Sequence, residues 1–320
     1  MNGFSARLAT AVTALMLCGV AVAQNYPQRP VRMIAVAAGG GPDLIARMLA
    51  AKFAERLGQQ FYVENRPGAG GNLGAEFVAR AVPDGHTLLL GSASQAISMT
   101  LFPKLGYDLT RDLAPVAMIA TAPFVLVVHP SLPVRSVREL IALARSARGE
   151  LLYSSGGAGT PPHLAAQMLK SAAGINFVHV PYKGISLAIN DLIGGHVHFS
   201  IAATPVGLPL VKANRLRALG VTSATRSALA PDLPTIAETV RGFEVIGWYG
   251  LFAPASTPTT VLSRLHQETQ NALVQPDVVE RLLAVGSEPQ VMSAPAFATF
   301  IQSEIRKWGK AVRESNAQPD

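Results

Sequence analysis

Two glycine-rich segments of one design lie about a hundred residues apart, and both have the makings of an anion site. The first, Ala37-Ala38-Gly39-Gly40-Gly41-Pro42-Asp43, follows the apolar run Val31–Val36 and precedes Leu44–Leu49. The second runs from Ser154 to His163, after Leu151-Leu152-Tyr153 and before Leu164–Leu169. A strand, a glycine turn and a helix start leave backbone N–H groups unpaired. The helix dipole adds partial positive charge at the same place. Such a site holds an anion without Lys or Arg, and one in each half of the chain predicts a cleft that grips an anionic ligand from both sides. Three consecutive glycines exceed what a turn needs, so Ala38, Gly39, Gly40 and Gly41 are read as ligand approach and Asp43 as the helix N-cap. In the second segment Ser155, Gly156, Gly157, Ala158, Gly159 and Thr160 offer hydroxyls and amides. His163 falls in the first helical turn, where the dipole disfavours an imidazolium, and is read as a neutral orienting group rather than a general base.

Other segments carry weaker chemistry. Asn65–Asn72 also joins a strand to a helix, but Leu73 stands where a dinucleotide fingerprint needs its last Gly and no Gly-Lys-Ser/Thr follows. It is read as a turn, with Gly70 and Gly71 as minor cleft candidates. Tyr182 and Lys183 follow a strand and would bring a hydroxyl and a charge to the cleft, although Lys183 is equally suited to a surface ion pair. Trp248 reads as packing and Tyr249 as facing the ligand. His196 and His198 share one strand face as a metal half-site without a third ligand, and are read as surface residues. No Gly-x-Ser-x-Gly elbow exists. Ser154 or Ser155 with His163 is the one local nucleophile–base candidate, and an exported hydrolase or isomerase would need that pair within hydrogen-bond reach. The chain is read as a binding protein, not an enzyme, with no cofactor and no metal.

The elements that position these residues alternate between strand and helix. The 320 residues are 49% hydrophobic and only 15% charged, which excludes disorder. Leu8–Val22 is apolar, Arg7 precedes it, and Ala21-Val22-Ala23 forms a cleavage site before Gln24, so residues 1–23 read as a secretory leader. The single cysteine, Cys18, lies in that leader behind Leu17 and is not read as a lipid anchor. The mature chain then has no thiol chemistry. Its net charge falls from +7 to +6 with Arg7, and the basic residues are scattered rather than clustered, which argues against nucleic acid. Expected strands are Phe61–Glu64, Thr87–Leu90 (ending in Gly91-Ser92-Ala93-Ser94), Phe124–Val128, Phe177–Val180, Val197–Ala202, Leu216–Val221 and a long Phe243–Phe252. Helices are expected over about 72–81, from a capping box at Ser136 and Glu139 to about Arg148, and from about Ser186. Three more, about 258–273, 277–285 and 295–314, form a helical tail. Such alternation predicts parallel sheets with crossover helices, the second unit beginning near Pro123 and ending near Gly247.

These segments together resemble the extracytoplasmic solute receptors of tripartite tricarboxylate transporters, the Bug family. The resemblance spans about Tyr26–Val312 through Gly39–Asp43 with Ala46-Arg47, Val63–Asn72, Pro83–Leu88, and Ser155–Thr160 with His163-Leu164. It continues through Val180–Gly184, Asp191–Gly195, Trp248–Pro254 and Glu304–Trp308. It implies an α/β two-lobed periplasmic binding protein of type II, with two hinge crossings and a helical C-terminal tail: residues 24–123 and 247–320 in lobe 1, 124–246 in lobe 2. It implies a small carboxylate held by Ala38–Gly41, by Ser92, Ala93 and Ser94, and by Ser155–Thr160, and delivered by a monomer to membrane subunits of a tripartite transporter. A sensory receptor with the same binding chemistry is the alternative. The chain departs from the family where Ala35, Val36, Ser98, His198 and Ala202 stand. Ala202, in the cleft wall, lacks the acidic group that would pair with a ligand ammonium, so an uncharged, more apolar body beyond the carboxylate is expected.

Overall fold

The structure, a computed structural model, describes residues 26–37, 40–146, 151–182 and 184–319. The leader, with Cys18 and the Ala23 cleavage site, lies outside these residues, as do Ala38, Gly39 and Lys183. The first lobe opens with β1 (Val31–Ala35), α1 (Gly40–Leu57), β2 (Phe61–Asn65), α2 (Asn72–Ala79), β3 (Thr87–Ser92) and α3 (Ala93–Leu101). β1 pairs in parallel with both β2 and β3, as strands joined by helical crossovers must. The second lobe repeats the plan. β4 (Leu113–Val128) and α4 (Val137–Ser146) lead to β5 (Leu152–Ser155), α5 (Pro161–Ala173), β6 (Val178–Pro181), α6 (Ile185–Ile193), β7 (Phe199–Ala203), α7 (Thr204–Lys212) and β8 (Arg217–Val221). Here β5 is parallel to β6 and β7.

The expectation of parallel sheets fails at the seam between the lobes. β4 is a single strand of 16 residues that serves both sheets. Its first part pairs antiparallel with β9 (Ile246–Pro254), and its last part pairs antiparallel with β7 and β8. β9 in turn runs antiparallel to β3. The two hinge crossings are therefore neighbours, paired from Leu113 opposite Pro254 to Pro123 opposite Ile246. Only Phe124–Val128 of β4 was expected. Pro115 and Pro123 obscure the rest, since proline inside a strand normally marks an edge or an irregularity, and the register slips next to Pro115 and again between Met118 and Ala120.

The tail comprises α8 (Thr259–Leu273), α9 (Pro276–Ala284), a short β10 (Glu288–Pro289) that adds to β4, and α10 (Ala294–Ser315). α10 packs against α3 of one lobe, α5 of the other and β4 between them. Glu304 on α10 is buried and its Oε2 accepts from the indole N–H of Trp248 at 3.0 Å and of Trp308 at 2.8 Å. Phe297 and Phe300 meet the Trp248 ring edge to face. Trp248 thus packs as expected. Asp43 is not an N-cap: α1 begins at Gly40, and the Asp43 carboxylate inside its first turn accepts from Asn65 Nδ2 at 2.8 Å and pairs with Arg47 at 3.0 Å.

Candidate functional site

A cleft of about 490 Å³ lies between the two lobes, floored by Ala122, Pro123 and Phe124 of β4 and by Gly247, Trp248 and Tyr249 of β9. Five helices begin on it. From the first lobe come α1 at Gly41 and α3 at Ser94; from the second come α5 at Pro161, α6 at Ile185 and α7 at Thr204. Each presents the positive end of its dipole, although Pro42, Pro161, Pro162 and Pro205 in the first turns of α1, α5 and α7 carry no N–H and the Ser94 N–H on α3 is bonded to Ser92 Oγ. No lining residue is Asp, Glu, Lys, Arg or His among the described residues. Among the described residues the polar part of the lining therefore consists of peptide groups and the hydroxyl-bearing Ser92, Ser94, Thr160, Thr204 and Tyr249, and much of the remaining wall is apolar. Proline at the first position of α5, and second in α7, suits a helix start, where the N–H would lack a partner anyway.

The sequence reading missed α3 and α7. For α3 the signal was present: Ser92 with Gln95 three residues on. Ser92 N–H donates to Gln95 Oε1 at 2.8 Å and Ser94 N–H to Ser92 Oγ at 3.3 Å, a capping box. Ser92, Ala93 and Ser94 therefore reach the cleft as a helix start rather than as a plain strand end.

The second glycine segment is clamped from beneath. Ser155 is fully buried, and its Oγ lies 2.7 Å from His179 Nε2 and 3.0 Å from the Gly157 carbonyl, to which it donates. Thr160 Oγ1 donates to the same carbonyl at 2.8 Å. Gly159 N–H donates to His163 Nδ1 at 3.1 Å, which fixes that nitrogen as unprotonated. The His163 ring stacks on His179 with centroids 4.2 Å apart, and Tyr153 stacks against both, 4.7 Å from His179 and 6.4 Å from His163. Burial, with His179 alongside, lowers the His163 pKa to about 4. His163 is thus neutral, as read from the sequence, but it shapes the loop from below. His179 was missed because only the strand pairing of Tyr153 with His179 brings it there. Ser154 Oγ donates to the Ala188 carbonyl. Neither serine is bonded to His163, so the hydrolase pair is not formed.

The predicted residues divide accordingly. Gly41, Ser92, Ala93, Ser94, Gly156 and Thr160 line the cleft, and Tyr249 joins them. Gly156 must be glycine: a Cβ there would meet Ile185 N at 2.9 Å. Ala158 and Gly159 line an adjoining hollow instead. Gly157 serves within the loop through its amide and carbonyl. Tyr182 does not reach the cleft; its hydroxyl donates to Asp191 Oδ2 at 2.6 Å. Ala202 corrects the expectation most plainly. It is fully buried against Val125 and Val127, and its neighbour Ala203 is the residue in the cleft wall, because side chains alternate along β7. Of the minor candidates, Gly70 lines the adjoining hollow, whereas a Cβ at Gly71 would strike Val36 at 2.7 Å. His198 is engaged by Leu152 N–H at 2.9 Å. Gly40 opens α1, and Ala38, Gly39 and Lys183 fall outside the described residues.

The lobes touch across the rim. Thr204 Oγ1 donates to the Gly286 carbonyl at 3.1 Å, and Ser227 bonds Glu288. Gly286 has φ +72°, and a Cβ there would meet Thr204 Oγ1 at 2.7 Å. The sequence reading named neither Thr204 nor Gly286.

Comparison with known proteins agrees with this geometry. The family described as "Tripartite tricarboxylate transporter family receptor" matches residues 45–317. Protein BugT of Bordetella pertussis is 36% identical over 300 residues, covering 92% of each chain. Rpa4515 of R. palustris, solved with adipate, superposes with a TM-score of 0.79 at 35% identity, over 92% of this chain and all of that one. MatC of Rhodopseudomonas palustris, solved with bound malate, superposes at 0.74 and 31% identity, over 90% and 100%. Among the described residues no helix is long and apolar enough to cross a membrane.

Proposed function

This chain belongs to the tripartite tricarboxylate transporter receptor family, and we propose that it captures a small carboxylate in the periplasm and delivers it to membrane subunits of such a transporter. The observation that carries this reading is the convergence of five helix starts on one cleft whose lining side chains, among the described residues, are uncharged. A carboxylate there receives charge-assisted N–H bonds from both lobes, and its removal from water is compensated by dipoles already in place. Gly41, Ser92–Ser94, Gly156 and Thr160 are the direct contacts in this reading, and Tyr249 supplies a hydroxyl. Gly157, Ser155 and His163 act by holding the second loop. The solved relatives that carry adipate and malate support the ligand class.

In this reading residues 24–123 and 247–320 form one lobe, 124–246 the other, and β4 and β9 bend at Pro123 and Gly247 as the ligand is enclosed. The chain acts as a monomer, exported after cleavage behind Ala23. A body that is apolar beyond the carboxylate fits Phe124, Trp248, Ile185, Val206 and Val285 in the wall. Thermal denaturation of the chain from Gln24 onward with a panel of small acids tests the reading. A ligand that binds the folded form raises the midpoint, and the rise grows with the logarithm of its concentration above Kd. A flat response to every acid, with a rise for a neutral sugar, contradicts it. Loss of uptake of the identified acid in a deletion strain tests the transporter role.

A further inference from the structure

On the first lobe a groove of about 340 Å³ lies between the first turns of α1 and the end of α9. We propose that this groove is the docking site for the transporter's membrane subunit, and that it takes a loop carrying an apolar side chain beside a carboxylate. The inference rests on the transport reading above and adds where the partner sits and what chemistry it must present.

The walls are apolar. Ile45 and Met48 on α1, with Leu282, Ala284 and Val285 at the other side, line the groove, and Leu44 in the same lining is 49% exposed. Two cations complete it, Arg47 and Arg281, and no acidic side chain is among its described lining residues. Arg47 is already bonded to Asp43 and Asn65. Arg281 makes no hydrogen bond or ion pair among the described residues, because Asp277, one turn before it, is held by Lys52 at 2.9 Å. A free guanidinium beside an apolar groove offers a rigid fork to an incoming carboxylate. Two copies of this chain meeting here about a two-fold axis would set arginines against arginines, so an acidic partner fits and a second copy does not. Position gives the second argument. A partner that collects only loaded receptor must sense the ligand site. Gly41 of α1 lines the cleft, and Leu44 and Met48 line the groove about one and two turns further along the same helix. Val285 lines both cleft and groove, and Gly286 next to it accepts the Thr204 hydrogen bond from the second lobe. Both sides of the groove are thus continuous with segments that meet the ligand cleft or the opposite lobe.

Uptake by a deletion strain carrying variant chains separates docking from capture. The probe is the radiolabelled form of whichever acid in the panel raises the thermal midpoint most. Arg281→Glu and Leu44→Gln are each expected to keep the wild-type midpoint and the wild-type affinity for that acid. Each lowers uptake by about tenfold, the effect of losing one central contact of an interface, and Arg281→Lys retains more uptake than Arg281→Glu. Val82, 69% exposed and outside both groove and cleft, supplies the control: Val82→Gln takes up the acid as the wild type does. The proposal is overturned if either groove variant supports wild-type uptake, or if Val82→Gln loses as much. It is overturned too if the groove variants bind the acid weakly, which would make the groove part of the ligand site. A wild-type dimer in sedimentation velocity that Arg281→Glu dissociates would assign the groove to a second copy instead. The transport reading stands in each of these cases. Uptake that does not depend on the chain, or no binding by any acid, removes both readings.

Discussion

At the residue scale the histidine beneath the second loop is the most informative group. The folded protein takes up a proton at His163 only near pH 4, whereas an unconstrained histidine does so near 6.5. Protonation therefore favours the unfolded chain. The stability that His163 contributes is complete above pH 6.5 and is lost as pH falls from there towards 4, by up to roughly 3 kcal/mol. His163→Asn keeps an acceptor near Gly159 N–H but cannot titrate. Its thermal midpoint is expected to fall less than that of the wild type between pH 7 and pH 5, and an identical fall would show that His163 is not the titrating group. His163→Ala removes the acceptor altogether and is expected to weaken ligand binding at pH 7 by about tenfold, the effect of one lost amide partner. The glycine segments were readable from composition and position as turns opening helices, and Gly41, Gly156 and Thr160 of them line the cleft. The groups that shape them were not, because Ser155 meets His179, and Thr204 meets Gly286, only across sheet pairing and lobe contact.

At the element scale, α10 and β9 are held together by one carboxylate. Glu304→Ala would leave two buried indole N–H groups without an acceptor, at a cost of about 2–4 kcal/mol, and Glu304→Gln, which retains an acceptor, is expected to lose less. Urea unfolding midpoints measure both; equal midpoints for wild type and Glu304→Ala would contradict the role. The same elements show where local signals suffice. Capping and periodicity mark α4 and the three tail helices to within a few residues, because each has its own polar start and apolar face. β4 shows where they fail. Its full length depends on β9 on one side and β7 on the other, and its two prolines argue locally against a strand. α3 was readable in principle from Ser92 and Gln95, since a capping box is a purely local device.

For the whole molecule, the contact of Gly286 with Thr204 and Pro205 joins the lobes on the rim of the cleft. Gly286→Ala introduces a Cβ at positive φ, a strain of about 1 kcal/mol, and separates the two rims. In solution scattering the ligand-bound variant is expected to remain more extended than the bound wild type, with about tenfold weaker binding; identical scattering and affinity would contradict closure through this contact. The central claim is that peptide dipoles from both lobes hold a negative charge. The most direct measurement is calorimetric titration with the best-binding acid and with its primary amide, which has nearly the same shape and no charge. The account predicts that the acid binds at least about a hundredfold more tightly, since several charge-assisted bonds are at stake. Equal affinity for acid and amide would contradict it.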